Sequence, residues 1–280
     1  MSRPVFPHVL VVGAGQMGGG IAQVVAASGR RVSLLDPLPG ATERALATME
    51  HSLARLHEKG AGGDPAGVLA RVAAAEGYVP ADLMIEAVHE DAALKEQVFR
   101  RADAELPPQA VLASNTSSIP IGSLAAVTAR PERVIGLHFF NPVPMLRLVE
   151  VIPAVTTAPE TTAAALALAR DLGKEPVEAR DVPGFVANRI LMPFINEAVY
   201  ALADGVADPE AIDTVARLGF GHPLGPLALA DLIGLDTCVA IMDVLAAGLD
   251  DPRYAPCPLL REHVAAGRLG RKSGRGFFAY

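Results

Sequence analysis

His138 and Glu150, twelve residues apart, are the two side chains of this sequence best suited to move a proton together. Imidazole titrates near working pH, so a histidine can take the hydroxyl proton of an alcohol while a hydride leaves the same carbon. A carboxylate bonded to the other ring nitrogen fixes the tautomer and stabilises the imidazolium that forms. In that arrangement Glu150 acts electrostatically and not as a nucleophile. A histidine in an apolar strand can equally be a hydrogen-bonded core residue, and a glutamate at a strand end an ordinary charge. Spacing alone leaves both roles open.

A second chemical signal lies upstream. The apolar, β-branched run His8 to Val12 turns through Gly13-Ala14-Gly15-Gln16-Met17-Gly18 into the alanine-rich segment Ile21 to Ser28, which reads as strand, tight turn and helix. In such a turn Gly13 permits the reversal, Gly15 lets a pyrophosphate approach the backbone, and Gly18 lets helix and strand pack closely. The helix N-terminus, with Gln16 and Met17 in its first turn, then faces the phosphates. Arg31 to Asp36 is a second short strand, and Asp36 at its end is placed to accept hydrogen bonds from the adenosine ribose hydroxyls. A carboxylate there repels a 2′-phosphate, so the expected cofactor is NAD and not NADP. Arg30 and Arg31 could attract a phosphate, but they precede the strand, at its wrong end.

The elements that must hold these residues follow from pattern. A helix is expected from Gly40 to Lys59, then the loop Gly60-Ala61-Gly62-Gly63-Asp64 and further helical sequence. Buried strands are expected at Asp82 to Val88 and Val111 to Ser114, with Asn115-Thr116-Ser117-Ser118 supplying small polar groups where the second ends. In open α/β sheets ligands bind at such carboxyl ends. Val134 to Leu137 leads into His138, and Leu146 to Val151 forms a strand behind the turn Asn141-Pro142-Val143-Pro144, an arrangement that brings His138 and Glu150 together. A helix near Pro159 to Leu172 and a short strand near Pro176 to Glu178 close the strand pattern. Beyond Arg180-Asp181-Val182-Pro183-Gly184 only helical periodicity remains, at Phe185 to Ala203, Pro209 to Leu218, Pro226 to Ala247 and Pro258 to Ala266. The expected fold is an α/β Rossmann-like domain with a mainly parallel sheet over residues 1–182, then a smaller all-α domain over 183–280.

Composition narrows the function. The chain has 280 residues, enough for two domains, and 51% hydrophobic content supplies a substantial core. A net charge of −7 without a basic run argues against nucleic acid. The apolar runs are broken well before the roughly 18 residues that span a bilayer. The two cysteines, Cys238 and Cys257, form no metal or disulfide framework, and Met1 to Pro7 does not read as a signal peptide. A cytoplasmic protein without membrane association is expected. The remaining histidines have no metal-ligand spacing, and hydride transfer needs no metal.

Longer motifs then point to a family. Leu137-His138-Phe139-Phe140-Asn141-Pro142-Val143-Pro144, followed by Leu148-Val149-Glu150-Val151, resembles the 3-hydroxyacyl-CoA dehydrogenases. So do Ser114 to Ser118, Pro183 to Arg189, His222 to Pro226, Gly234 to Thr237 and the closing Leu269 to Phe278, so that the resemblance covers nearly the whole chain. The length is similar to stand-alone 3-hydroxybutyryl-CoA dehydrogenases. The resemblance implies His138 as catalytic base, Glu150 as its partner, and Ser117 and Asn188 as groups that position an acyl-CoA substrate. It implies cofactor contacts at Glu90, Lys95, Ser117 and Lys272, an ordering role for Asn141, and coenzyme A contacts at Ser52 and Lys59. A cationic helix face with Arg55 suits the coenzyme A phosphates. Ser117 could instead cap a helix and Asn141 close a turn.

Three alternatives accompany this reading. One is a relative acting on a specialised chain such as 3-hydroxyadipyl-CoA, or with NADP; another is a β-hydroxyacid dehydrogenase, whose plan has a catalytic lysine instead. The third is a non-catalytic, crystallin-like NAD-binding protein, which loss of a catalytic residue would favour, yet all four are present. The apolar helices of the C-terminal region, Leu227 to Leu249 among them, exceed what one small domain buries, so a homodimer through that region is expected.

Overall fold

The computed structural model describes residues 5–61 and 63–280, so Gly62 of the expected glycine loop and the first four residues of the leading segment lie outside the described residues. The first compact unit ends at Val182 and the second is Pro183–Tyr280. In the first unit the order is β1 (His8–Val12), α1 (Gln16–Ala27), β2 (Arg31–Leu35), α2 (Ala41–Glu58), α3 (Pro65–Leu69), β3 (Val72–Ala75), β4 (Leu83–Glu86), α4 (Ala92–Glu105), β5 (Val111–Ser114), α5 (Ile121–Ala126), β6 (Val134–Phe139), β7 (Leu148–Pro153), α6 (Pro159–Asp171) and β8 (Glu175–Glu178).

These strands form one eight-stranded sheet in the order β3-β2-β1-β4-β5-β6-β7-β8. Every pairing is parallel except β6 with β7. β4, β5 and β6 are buried at every residue, as central parallel strands covered on both faces must be. The strand order reverses beside β1, and that reversal opens a crevice at the carboxyl ends of the strands. Val9, Ile21, Val25, Leu34, Ile85 and Val151 belong to the core that holds the sheet against its helices.

The second unit contains α7 (Ala187–Ala203), α8 (Pro209–Thr214), α9 (Pro226–Ile233), α10 (Leu235–Leu249) and α11 (Pro258–Ala265). Met192, Ile195, Leu227, Leu235 and Leu245 form its core. Two buried aspartates organise the backbone around them. Asp213 accepts the N–H groups of Leu227 and Ala228 at 2.9 Å and so caps α9 from outside that helix. Asp231 accepts those of Phe277 and Phe278 at 3.0 and 2.9 Å and docks the C-terminal segment.

The structure departs from local pattern in three places. Val72-Ala73-Ala74-Ala75, in sequence expected to be helical, is the edge strand β3, paired residue for residue with β2. Helix propensity for such residues amounts to a few tenths of a kcal/mol each, about what a ladder of sheet hydrogen bonds overrides. The single helix expected from Pro226 to Ala247 is two helices at 96°, broken at Gly234, whose φ of +104° no helix accommodates. The helix expected over Pro209 to Leu218 ends at Thr214 and passes into a π turn at Val215–Gly219. No single helix among the described residues is long and apolar enough to cross a bilayer.

Candidate active site

The antiparallel join of β6 and β7 sets the geometry of His138 and Glu150. In its register His138 lies directly opposite Glu150. Side chains directly opposite in such a pair project to the same face, and a slip of one residue would turn Glu150 to the other side of the sheet. Nδ1 of His138 lies 2.8 Å from Oε2 of Glu150. The imidazole side chain is 9% exposed and the carboxylate 1%, so their interaction is shielded from water. The Phe140 ring packs against the imidazole with centroids 4.5 Å apart. With Nδ1 bonded to Glu150, proton exchange with a substrate hydroxyl would go through Nε2.

Next to β6, the segment after β5 is held by the Asn115 amide and the Glu90 carboxylate. Asn115 accepts the N–H of Phe139, the residue after His138, through its side-chain oxygen at 2.8 Å. Oε1 of Glu90 accepts from the Thr116 hydroxyl, from N–H and hydroxyl of Ser117, and from N–H and hydroxyl of Ser118, at 2.6 to 3.2 Å. Its Oε2 lies 3.3 Å from Nζ of Lys95. Burial alone would raise the Glu90 carboxyl, but Lys95 and these donors hold it below the usual carboxylate range. Lys95, expected from the resemblance as a cofactor contact, is 1% exposed and ion-paired to both Glu86 and Glu90.

On the cofactor side, Gly13 takes φ of +102°, and a Cβ there would meet the Ala87 carbonyl oxygen at 2.6 Å. At Gly18 a Cβ would lie 1.8 Å from the Gly13 carbonyl oxygen, whereas at Gly15 it would meet nothing within 4 Å. The glycines therefore divide as a pyrophosphate site requires: two for close packing and one for open approach. α1 starts at Gln16 without a capping side chain, which suits an anion at its N-terminus. Asp36 is fixed by the N–H groups of Ala14 at 2.7 Å and Leu38 at 2.9 Å. It lines a cavity of 920 Å³ together with Gly13, Gly77, Tyr78, Val88 and Arg101. These residues fit an adenosine diphosphate moiety. Arg30 is 2% exposed and paired with Asp171 at 2.7 Å, so it offers nothing to a 2′-phosphate.

A second cavity, of 520 Å³, runs along the other flank of the glycine turn and is lined by Gly15, Gln16, Asp36, Arg44, Ser52 and Asn141. It is followed by a third, of 410 Å³, where His51, Ser52 and Arg55 of α2 and Lys59 just after it face Pro142 and Met145. The structure thus gathers Ser52, Lys59 and Asn141 around one groove. Asn188 and Lys272 belong to the second unit. Asn188 is buried in the first turn of α7, and Lys272 is ion-paired with Asp236 at 2.6 Å. Among the described residues no group of side chains could hold a metal ion.

Four residues with no role foreseen in the sequence position this machinery. They are Glu86 and Asn115, as above, with Asp181 and Lys174. Asp181 accepts the N–H groups of Ile121 and Gly122 at 2.9 and 2.7 Å and anchors α5, which follows Ser117 closely. Lys174 is buried and donates to the carbonyls of Val143 and Leu146, which secures the turn that carries Asn141. Its desolvation holds the amine below the usual lysine value. Only Asn115 and Asp181 sat in segments that turn chemistry had singled out; Glu86 is a single charge at a strand end and Lys174 one just before a strand.

Comparison with known proteins gives a consistent result. Residues 8–182 match the family model described as 3-hydroxyacyl-CoA dehydrogenase, NAD binding domain, and residues 184–280 match the C-terminal domain of the same family. The chain is 53% identical over 278 residues to a probable 3-hydroxybutyryl-CoA dehydrogenase of Bacillus subtilis, covering 98% of this chain and 97% of that protein. It is 48% identical over 281 residues to the 3-hydroxybutyryl-CoA dehydrogenase of Bradyrhizobium diazoefficiens, covering 99% and 96%. The crystal structure of (S)-3-hydroxybutyryl-CoA dehydrogenase from Ralstonia eutropha superimposes with a TM-score of 0.95 at 48% identity, over 98% of this chain and 99% of that one.

Proposed function

The chain belongs to the 3-hydroxyacyl-CoA dehydrogenase family, and we propose that within it the protein interconverts (S)-3-hydroxybutyryl-CoA and 3-oxobutyryl-CoA. It is an NAD-dependent oxidoreductase of 3-hydroxyacyl-CoA. The four-carbon preference draws support from relatives that bear that name and match over nearly their full length.

The observation that carries the chemistry is the buried His138–Glu150 pair. His138 takes the substrate hydroxyl proton at Nε2, and Glu150 stabilises the imidazolium that results. Bound NAD supplies the hydride acceptor. Gly13, Gly15, Gln16, Met17, Gly18 and Asp36 hold the dinucleotide, and Glu90, Lys95, Asn141 and Lys272 complete its surroundings. Ser117 and Asn188 orient the acyl group, while Ser52 and Lys59 take the coenzyme A end. The first unit serves as the NAD-binding domain and the second for substrate binding and dimerisation.

Ile190, Leu218 and Phe220 of the second unit are 67%, 82% and 64% exposed, and we assign them to a homodimer contact. Light scattering at twice the chain mass supports that assignment, and a monomer refutes it. Cys238 and Cys257 are buried free thiols, which suits a reducing compartment, the cytoplasm. The activity is tested by initial rates with (S)-3-hydroxyacyl-CoAs from four carbons upward and the adipyl analogue, each with NAD and NADP. The highest kcat/KM with the four-carbon substrate and NAD is expected; preference for the adipyl analogue or for NADP overturns the substrate assignment.

A further inference from the structure

Glu86 closes β4 with a carboxylate that is fully buried. In register it sits in a row across the carboxyl ends of the sheet, between Val12 of β1 and Ser114 of β5. Its Oε1 accepts from the Val88 N–H and from Nζ of Lys95, both at 2.7 Å, and its Oε2 accepts from the Ser114 hydroxyl at 2.6 Å. An apolar side chain of similar volume would fill this place without the desolvation penalty of a buried ion pair. A carboxylate here is accounted for by the direction of its bonds.

Those bonds run to both ends of one short loop. On one side the Ser114 hydroxyl that donates to Glu86 also accepts the Thr116 N–H at 3.1 Å. On the other, Lys95 bridges Glu86 to Glu90, and Glu90 collects the Thr116 to Ser118 donors, the Ser117 N–H at 2.9 Å and hydroxyl at 3.2 Å among them. Lys95 is balanced between two carboxylates. If Glu86 were neutral, the ammonium would press on Glu90 alone and compete with the serine and threonine donors for the same carboxylate.

We propose that Glu86 is a positioning residue, which sets Ser117 for the substrate through Lys95 and Glu90 on one side and through Ser114 on the other. The proposal rests on the assignment of Ser117 to the substrate. Glu86 itself touches only protein groups in this chain of bonds, so its effect on the reaction passes through the loop.

A double-mutant cycle tests it, with Glu86→Gln, Ser117→Ala and the combined variant. Steady-state kinetics with (S)-3-hydroxybutyryl-CoA and NAD, the Kd for NADH and the Tm are measured for each. Glu86→Gln and Ser117→Ala should each lower kcat/KM for the acyl-CoA by about 10- to 100-fold, the range for a lost charge-assisted bond. The combined variant should be no worse than Ser117→Ala by more than about threefold, in kcat/KM and in the Kd for NADH alike. Losses that multiply, or a Glu86→Gln loss carried by NADH affinity alone, would overturn the proposal. Wild-type kinetics in Ser117→Ala would instead show that the Ser117 assignment has failed. Should Glu86→Gln not fold, Ser114→Ala takes its place in the same cycle, because it breaks the Oε2 route and keeps the charge; its loss must likewise vanish in the Ser117→Ala background, and multiplicative loss overturns the proposal.

Discussion

Nδ1 of His138 and Oε2 of Glu150 lie 2.8 Å apart across the only antiparallel pairing among the described strands of the sheet. The pairing makes the carboxylate an electrostatic partner held by the backbone. Glu150→Gln keeps the shape and removes the charge that stabilises imidazolium, so kcat should fall by about two to four orders of magnitude, with NADH affinity unchanged. Stopped-flow turnover together with fluorescence titration of NADH separates the two quantities.

The glycine turn predicts two different failures from one kind of substitution. A methyl group at Gly15 enters open space, whereas one at Gly18 would overlap the Gly13 carbonyl. Gly15→Ala should therefore keep the wild-type Tm and weaken NADH binding by about tenfold or more, since the methyl occupies the pyrophosphate approach. Gly18→Ala should lower the Tm itself, by an overpacking penalty of about 1–3 kcal/mol. Thermal melts with and without NADH check the pair.

Asp36 does two jobs in the proposed function, because its carboxylate holds the Ala14 and Leu38 backbone and lines the 920 Å³ cavity assigned to the adenosine. Asp36→Ala should raise KM for NAD by about tenfold while KM for NADP falls or stays level, and should cost about 1 kcal/mol of stability from two N–H groups that lose their acceptor. Kinetics with both cofactors and a urea melt measure the two effects.

Glu90 carries a pH signature. Its carboxyl is held below the usual range in the fold, so the unfolded chain takes up that proton first as pH falls. The stabilisation it gives is full above the ordinary carboxylate range and is lost as pH drops through the folded-state value, from about pH 5 downward. Glu90→Gln should remove that part of the acid dependence. Urea melts of both proteins between pH 7 and 3.5 would show it as converging stabilities at the acid end; parallel curves would contradict it.

Much of this arrangement was legible in the sequence where a residue type has one strong physical meaning. The glycine turn, Asp36 and the strands around His138 and Glu150 announce themselves through backbone need and alternation, and the family resemblance names Ser117 and Asn188. Glu86 and Lys174 were not legible, because a single charge in or beside a strand looks the same whether it is solvated or buried against carbonyls and serines from distant segments. The β3 edge strand was missed for a related reason, since its alanines gain their strand character only from β2 alongside. Lys95 shows the same limit in reverse: its motif position was readable, while its burial between two carboxylates depended on the fold.

The measurement that tests the central claim most directly is turnover of (S)-3-hydroxybutyryl-CoA with NAD by His138→Gln, beside its affinity for NADH. The account predicts that kcat falls by about 10³-fold or more while NADH Kd and Tm stay close to wild type, because a base has been removed and the binding turn is intact. Turnover within about tenfold of wild type in a folded, NADH-binding variant would contradict His138 as the base.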